Sequence, residues 1–199
     1  MENIPFHRVD CSGRERDLVT EVLQSGWLTT GSKTKAFERA FADALNVRYA
    51  CAVNSCTSAL HLALEAVGIS PGMKVFVPTM TFTATAEVIR YLNADPIFLD
   101  VDYETATLTP SILEKAIKQH PDVKCLIVVH YGGQPAIMRN SNNNGIKDLC
   151  AQEGIRLIED AAHAFPASQH NQMVGTFGDA AAFSFYANKT ITTGEGGML

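Results

Sequence analysis

The chain has 199 residues, 46% of them hydrophobic and 19% charged, a make-up that fits one substantial globular core and excludes disorder. Sixteen Lys and Arg against 21 Asp and Glu give a formal net charge of -5, and no basic run is present to neutralise a phosphate backbone, so nucleic acid is not an expected partner. The opening residues lack the basic start and apolar stretch of a secretory signal, and nothing approaches the ~18 unbroken apolar residues of a membrane span. The expected location is the cytoplasm, without a membrane partner.

In chain order, residues 13–24 carry a helical pattern, Gly26-Trp27-Leu28-Thr29-Thr30-Gly31 forms a turn-rich connector, and residues 34–45 are helical again. Residues 1–30 therefore read as an N-terminal arm and 31–199 as one large domain. Runs rich in β-branched and aromatic residues then recur at 49–53, 75–78, 96–101, 125–130, 156–158 and 180–185 and predict buried strands. Helical patterns at 59–67, 83–92, 110–118 and 146–153 lie between them, with Pro110 at a helix start and Gly154 closing the last. The alternation predicts an α/β fold with a mostly parallel central sheet and helices on both faces, whose ligands bind beyond the carboxyl ends of the strands. The polar run at 139–145 reads as a surface loop. Five cysteines without CxxC or a His-paired spacing suggest free thiols, and no metal site is expected.

Three constellations carry chemistry. Asn54-Ser55-Cys56-Thr57-Ser58 follows a strand and opens a helix, where hydroxyls and free N–H groups suit either a phosphate or an ordinary N-cap. Glu159-Asp160-Ala161-Ala162-His163 places two acids at a buried strand end, which requires partners for each. A functional acid, a structural ion pair and metal ligation by Asp160 and His163 all remain open there, although a metal needs ligands that no second cluster supplies. Finally, Ser184 and Lys189 sit in Phe183-Ser184-Phe185-Tyr186-Ala187-Asn188-Lys189, followed by the glycines 194, 196 and 197. A hydroxyl and an amine can there face one ligand across a close-packed turn, the alternative being a solvated loop lysine.

These segments, together with Pro78-Thr79-Met80-Thr81-Phe82, Asp100-Val101-Asp102 and His130-Tyr131-Gly132-Gly133, occur in an order that resembles the DegT/StrS nucleotide-sugar aminotransferases. That group has the aspartate aminotransferase fold, fold type I. The resemblance implies pyridoxal phosphate (PLP) as cofactor, carried by Lys189 as a Schiff base. It further implies that Asp160 pairs with the pyridine nitrogen, that Phe82 stacks on the ring, that Thr57, Ser58 and Ser184 hold the phosphate, and that His163 lies near the ring oxygen. The implied reaction moves an amino group from an amino acid, glutamate being the expected donor, to a nucleotide-linked keto sugar in a homodimeric enzyme. Sugar dehydratases of the same fold carry histidine in place of the lysine, so Lys189 argues against that activity, and a non-catalytic cofactor-binding fragment is the other alternative. Two departures accompany the likeness. Residues 139–145 lack the acidic, helix-leading character expected after the His-Tyr-Gly motif. The family runs to about twice this length, so a C-terminal small domain is expected to be missing and the isolated chain to be inactive on sugars.

Overall fold

The computed structural model describes residues 3–140 and 144–199. Residues 141–143, the middle of the expected polar loop, lie outside the described residues. The elements are α1 (Glu15–Ser25), α2 (Ser32–Leu45), β1 (Ala52–Val53), α3 (Cys56–Ala66), β2 (Lys74–Pro78), α4 (Thr83–Tyr91), β3 (Asp95–Leu99) and α5 (Pro110–Gln119). They are followed by β4 (Cys125–Val129), α6 (Ile146–Glu153), β5 (Arg156–Asp160), β6 (Ser168–Gln169), β7 (Gln172–Met173), β8 (Ala180–Ser184) and β9 (Gly197–Met198).

Seven strands form one sheet in the order β1-β9-β8-β5-β4-β2-β3, and β6 with β7 makes a separate hairpin. Strands β2, β3, β4, β5 and β8 pair in parallel, whereas β9 runs antiparallel to both its neighbours. The period of two along each central strand divides the core into two layers. Val75 and Val77 of β2, Cys125 and Ile127 of β4, and Ile158 of β5 pack with Leu60 and Leu64 of α3 and Val88 and Ile89 of α4. Phe76, Leu126, Val128 and Leu157, between them in sequence, pack on the other face with Leu113 of α5 and Ile146 of α6. Helices thus cover both faces of a mostly parallel sheet, as expected. Ile127 and Leu126 are fully buried, and truncating either to Ala would cost about 2–5 kcal/mol.

Local signals explain most boundaries. Ser55 caps α3 by accepting from the Ser58 N–H at 3.1 Å, which starts that helix three residues before the apolar pattern at 59. Thr109 and Pro110 open α5. Gly154, at φ 65°, ends α6 in the left-handed region where a Cβ would be strained. Three strands, β6, β7 and β9, form where none is expected, and the run 49–53 is strand only at Ala52–Val53. Helix α1 is distinct in one physical respect: it buries none of its side chains, and Leu18, Val19, Leu23, Trp27 and Leu28 are all exposed.

Candidate active site

The carboxyl ends of β4, β5 and β8 and the N-termini of α3 and α4 surround a cavity of about 580 Å³, within the usual ~300–1,000 Å³ of small-molecule sites. Thr57, Phe82, Asp160, His163, Ser184 and Lys189 all line it. Residues separated by more than a hundred positions are thus gathered at one sheet edge. Ser58 is the exception among the expected site residues. Its hydroxyl donates to the Asn54 Oδ1 at 2.6 Å and lies 3.0 Å from the Ser55 Oγ, so it braces the turn while Thr57 faces the cavity.

Asp160 ends β5 on the α3/α4 face, in register with Ile158 two residues earlier. Only 5% of it is exposed. Its Oδ2 accepts from the Thr85 hydroxyl at 2.7 Å and its Oδ1 from the Ala162 N–H at 3.1 Å. His163 follows in a tight turn, where its Nδ1 accepts from the Gly132 N–H at 3.3 Å. Burial holds the His163 imidazole below its ordinary pKa, the Lys189 charge adds to this, and Asp160 opposes it. A neutral ring with its proton on Nε2 is the result at neutral pH.

Lys189 sits in a turn closed by its own N–H donating to the Tyr186 carbonyl at 3.0 Å. Burial lowers the pKa of its amine from the usual lysine value, with Cys56 and Asp160 acting in the opposite direction. The free amine, the nucleophilic form, is therefore reached at lower pH than for a solvated lysine. Cys56 lines the same cavity, and its thiol is pushed well above the ordinary range by burial first and by Asp160 second. It stays protonated and is not a nucleophile. Cys125 and Cys150 are buried, with burial raising each to about 12, whereas Cys11 and Cys51 are exposed. Among the described residues, no group of three His, Cys, Asp or Glu side chains could hold a metal ion.

The last strand closes the site from below. At Gly197 of β9 an added Cβ would fall 2.5 Å from the Ser55 carbonyl carbon and 2.7 Å from the Cys56 nitrogen. Only glycine lets β9 lie against the turn that begins α3. Ser55 takes up the Ser58 N–H, while the Cys56 and Thr57 N–H groups have no intrahelical acceptor, and both residues line the cavity together with Ser184.

A model of the DegT/DnrJ/EryC1/StrS aminotransferase family matches residues 10–199. The chain belongs to this family. It is 45% identical over 181 residues to the spore coat polysaccharide biosynthesis protein SpsC of Bacillus subtilis (strain 168), covering 91% of this chain and 45% of that protein. It is 42% identical over 200 residues to the GDP-perosamine synthase of Escherichia coli O157:H7, covering 100% of this chain and 53% of that one. Spr1654 from Streptococcus pneumoniae, solved in a PLP form, superposes with a TM-score of 0.85 at 32% identity over 99% of this chain and 52% of its own. The chain spans about half the length of the curated relatives it matches.

Two features around the cavity are decided only by the structure. The first is Glu159, which is fully buried and faces away from the cavity. It accepts from the N–H groups of Gly175, Phe177 and Gly178 at 2.7–2.8 Å and pairs with the His130 Nε2 at 3.1 Å. The Ala136 N–H donates to the His130 Nδ1, so Nε2 carries the proton that goes to Glu159. Glu159 is thus a structural acid, held by three backbone N–H groups and by a hydrogen bond from a neutral His130 rather than by an ion pair. The second is the pair Thr81 and Thr85 behind Asp160. Thr85 is one helical turn after Phe82, a spacing that places both at the same end of α4.

Proposed function

We propose that the protein binds PLP and transfers an amino group from an amino acid, with glutamate as donor, to a keto sugar attached to a nucleotide. The observation that carries this reading is the convergence of the Lys189 amine, the Asp160 carboxylate and the Thr57 and Ser184 hydroxyls on one cavity at the carboxyl edge of a parallel sheet. The donor set fits the cofactor. Lys189 would hold it covalently, Asp160 would face the ring nitrogen, Phe82 would cover the ring, and Thr57 and Ser184 with the start of α3 would hold its phosphate. Ser58 supports that end as a brace. When bound, PLP supplies an electron sink that stabilises the negative charge left when a substrate carbon loses its proton.

The residues divide the remaining work. Asp160, with one donor on each oxygen, would hold a fixed carboxylate toward the ring nitrogen. Lys189, its amine partly desolvated, would hold the cofactor covalently and, once the amino donor has displaced it, would move the proton at the reacting carbon as the free base. Neutral His163 offers an Nε2–H donor to an oxygen without adding a charge. His130 stands here rather as a buried support of β5. The names of two relatives, a GDP-perosamine synthase and a spore coat polysaccharide biosynthesis protein, support a nucleotide-linked sugar as acceptor. The same reading includes a homodimer, supported by the apolar side chains that α1 and its following turn leave exposed.

The test is the absorbance spectrum of the purified protein loaded with PLP, before and after L-glutamate. Conversion from the aldehyde-derived band to that of the aminated cofactor supports the reading. Binding without conversion favours a cofactor-binding protein that does not transfer amines.

A further inference from the structure

Behind Asp160 lies a chain of hydroxyls whose direction is set by chemistry. Thr85 is fully buried and its Oγ1 lies 2.7 Å from the Asp160 Oδ2 and 2.6 Å from the Thr81 Oγ1. A carboxylate only accepts, and a hydroxyl has one proton to give. Thr85 therefore donates to Asp160, and the Thr81 contact must be Thr81 donating to Thr85. Such chains polarise each link and strengthen the last bond. The Ala162 N–H holds the other carboxylate oxygen at 3.1 Å, so the carboxyl plane is fixed from both sides.

The same turn of α4 connects this chain to the cavity wall. The Thr85 N–H donates to the Phe82 carbonyl at 3.0 Å, and Thr81 and Phe82 line the cavity with Thr85 and Asp160. A shift at the start of α4 would move the aromatic wall and the donor to Asp160 together.

We propose that Thr85, driven by Thr81, is a positioning residue that fixes the Asp160 carboxylate so that a bound pyridine ring keeps its proton on the nitrogen. The proposal rests on the PLP reading above. Neither threonine needs to touch the reacting atoms. Thr85 acts through Asp160, and Thr81 acts through Thr85. Without the Thr85 hydroxyl, Oδ2 loses its donor inside a buried site, the carboxylate is free to turn, and it competes for the ring proton.

The experiment uses PLP labelled with 15N at the ring, bound to the purified protein and to Thr85→Val, Thr85→Ser and Thr81→Val. Three quantities are measured: the 15N chemical shift against pH, the PLP dissociation constant, and the rate of cofactor amination by L-glutamate. In Thr85→Val the 15N signal should move from the protonated towards the neutral pyridine range, and amination should slow on the order of ten- to a hundredfold. The apparent KM for glutamate should stay within about twofold, because the fully buried Thr85 offers a donor no accessible surface. Thr85→Ser should restore signal and rate, and Thr81→Val should show a smaller shift of the same sign. A parent-like 15N signal in Thr85→Val overturns the proposal alone. So does Thr85→Ser failing as Val does, since methyl packing rather than the hydroxyl would then be responsible. Failure of the unsubstituted protein to bind PLP overturns the functional reading, and this proposal with it.

Discussion

Glu159 and Asp160 are neighbours in β5, both acidic and both buried, yet they face opposite sides of the sheet. Glu159 points into the layer of α5 and α6, where three backbone N–H groups and His130 take up its oxygens. Asp160 points towards α4, holds one donor on each oxygen and borders the cavity. Burial alone therefore does not distinguish an anchor from a functional acid. The distinction lies in how much acceptor capacity the protein itself consumes: Glu159 is committed to the fold, and Asp160 retains lone pairs for a ligand.

That contrast can be attacked from both faces. The largest effect is expected on the cavity side, where Lys189→Ala should abolish borohydride trapping of PLP on the protein while shifting Tm by no more than about 2 °C, as for other partly exposed positions outside the core. A trapped peptide centred on another lysine would refute the assignment. On the opposite face, Glu159→Ala leaves several buried donors without an acceptor, a loss of about 3–5 kcal/mol. At roughly 2–4 °C per kcal/mol for a domain of this size, thermal unfolding should fall by about 6–20 °C. A drop under about 3 °C would show that the 175–178 turn does not depend on Glu159.

Asp160→Asn sharpens the comparison, because it keeps the size and most of the hydrogen bonding but removes the charge. Amination of bound PLP by glutamate should slow on the order of a hundredfold, with much less loss of stability than in Glu159→Ala. Full rates in Asp160→Asn would erase the difference between the two acids. The smallest effect concerns His163, whose pKa is held below the ordinary 6.5 mainly by burial. As pH falls through that value the unfolded chain takes up this proton before the folded one, so the contribution of His163 is present above it and is lost below. His163→Asn should flatten the decline in Tm between about pH 7 and pH 5, and an unchanged slope would place the titrating group elsewhere.

Much of this architecture is legible in the amino-acid order. The run at 75–78 falls within β2, the run at 125–130 contains β4, and the helical pattern at 83–92 contains α4, because each has both an apolar period and a clear boundary. Lys189, Asp160, Thr57, Phe82, His163 and Ser184 were expected together, and all six border one cavity. What escapes the sequence depends on partners distant in the chain. Gly197 and Met198 form a strand only because β8 and β1 pair with them on either side, whereas a two-residue strand in a glycine-rich run has no period of its own. Glu159 cannot be told from Asp160 by composition, since the decisive N–H groups come from residues 175–178. Thr85 reads as one more helical residue until its hydroxyl is seen against β5. Ser58, expected at the phosphate, braces the turn in this structure, and a hydroxyl at a helix start suits both tasks.

The contact of Gly197 with the turn at Ser55 also bears on when the site can exist. The two segments are far apart in the chain, and at ~5–20 residues per second of synthesis the second emerges on the order of ten seconds after the first. During that interval the start of α3 has lost neither its hydroxyls nor its N–H groups, but it has no floor, and Lys189 is not yet in place beside Asp160. The sheet from β2 to β5 can assemble from contacts already made. The floor of the cradle therefore depends on a strand synthesised well after the turn that it supports.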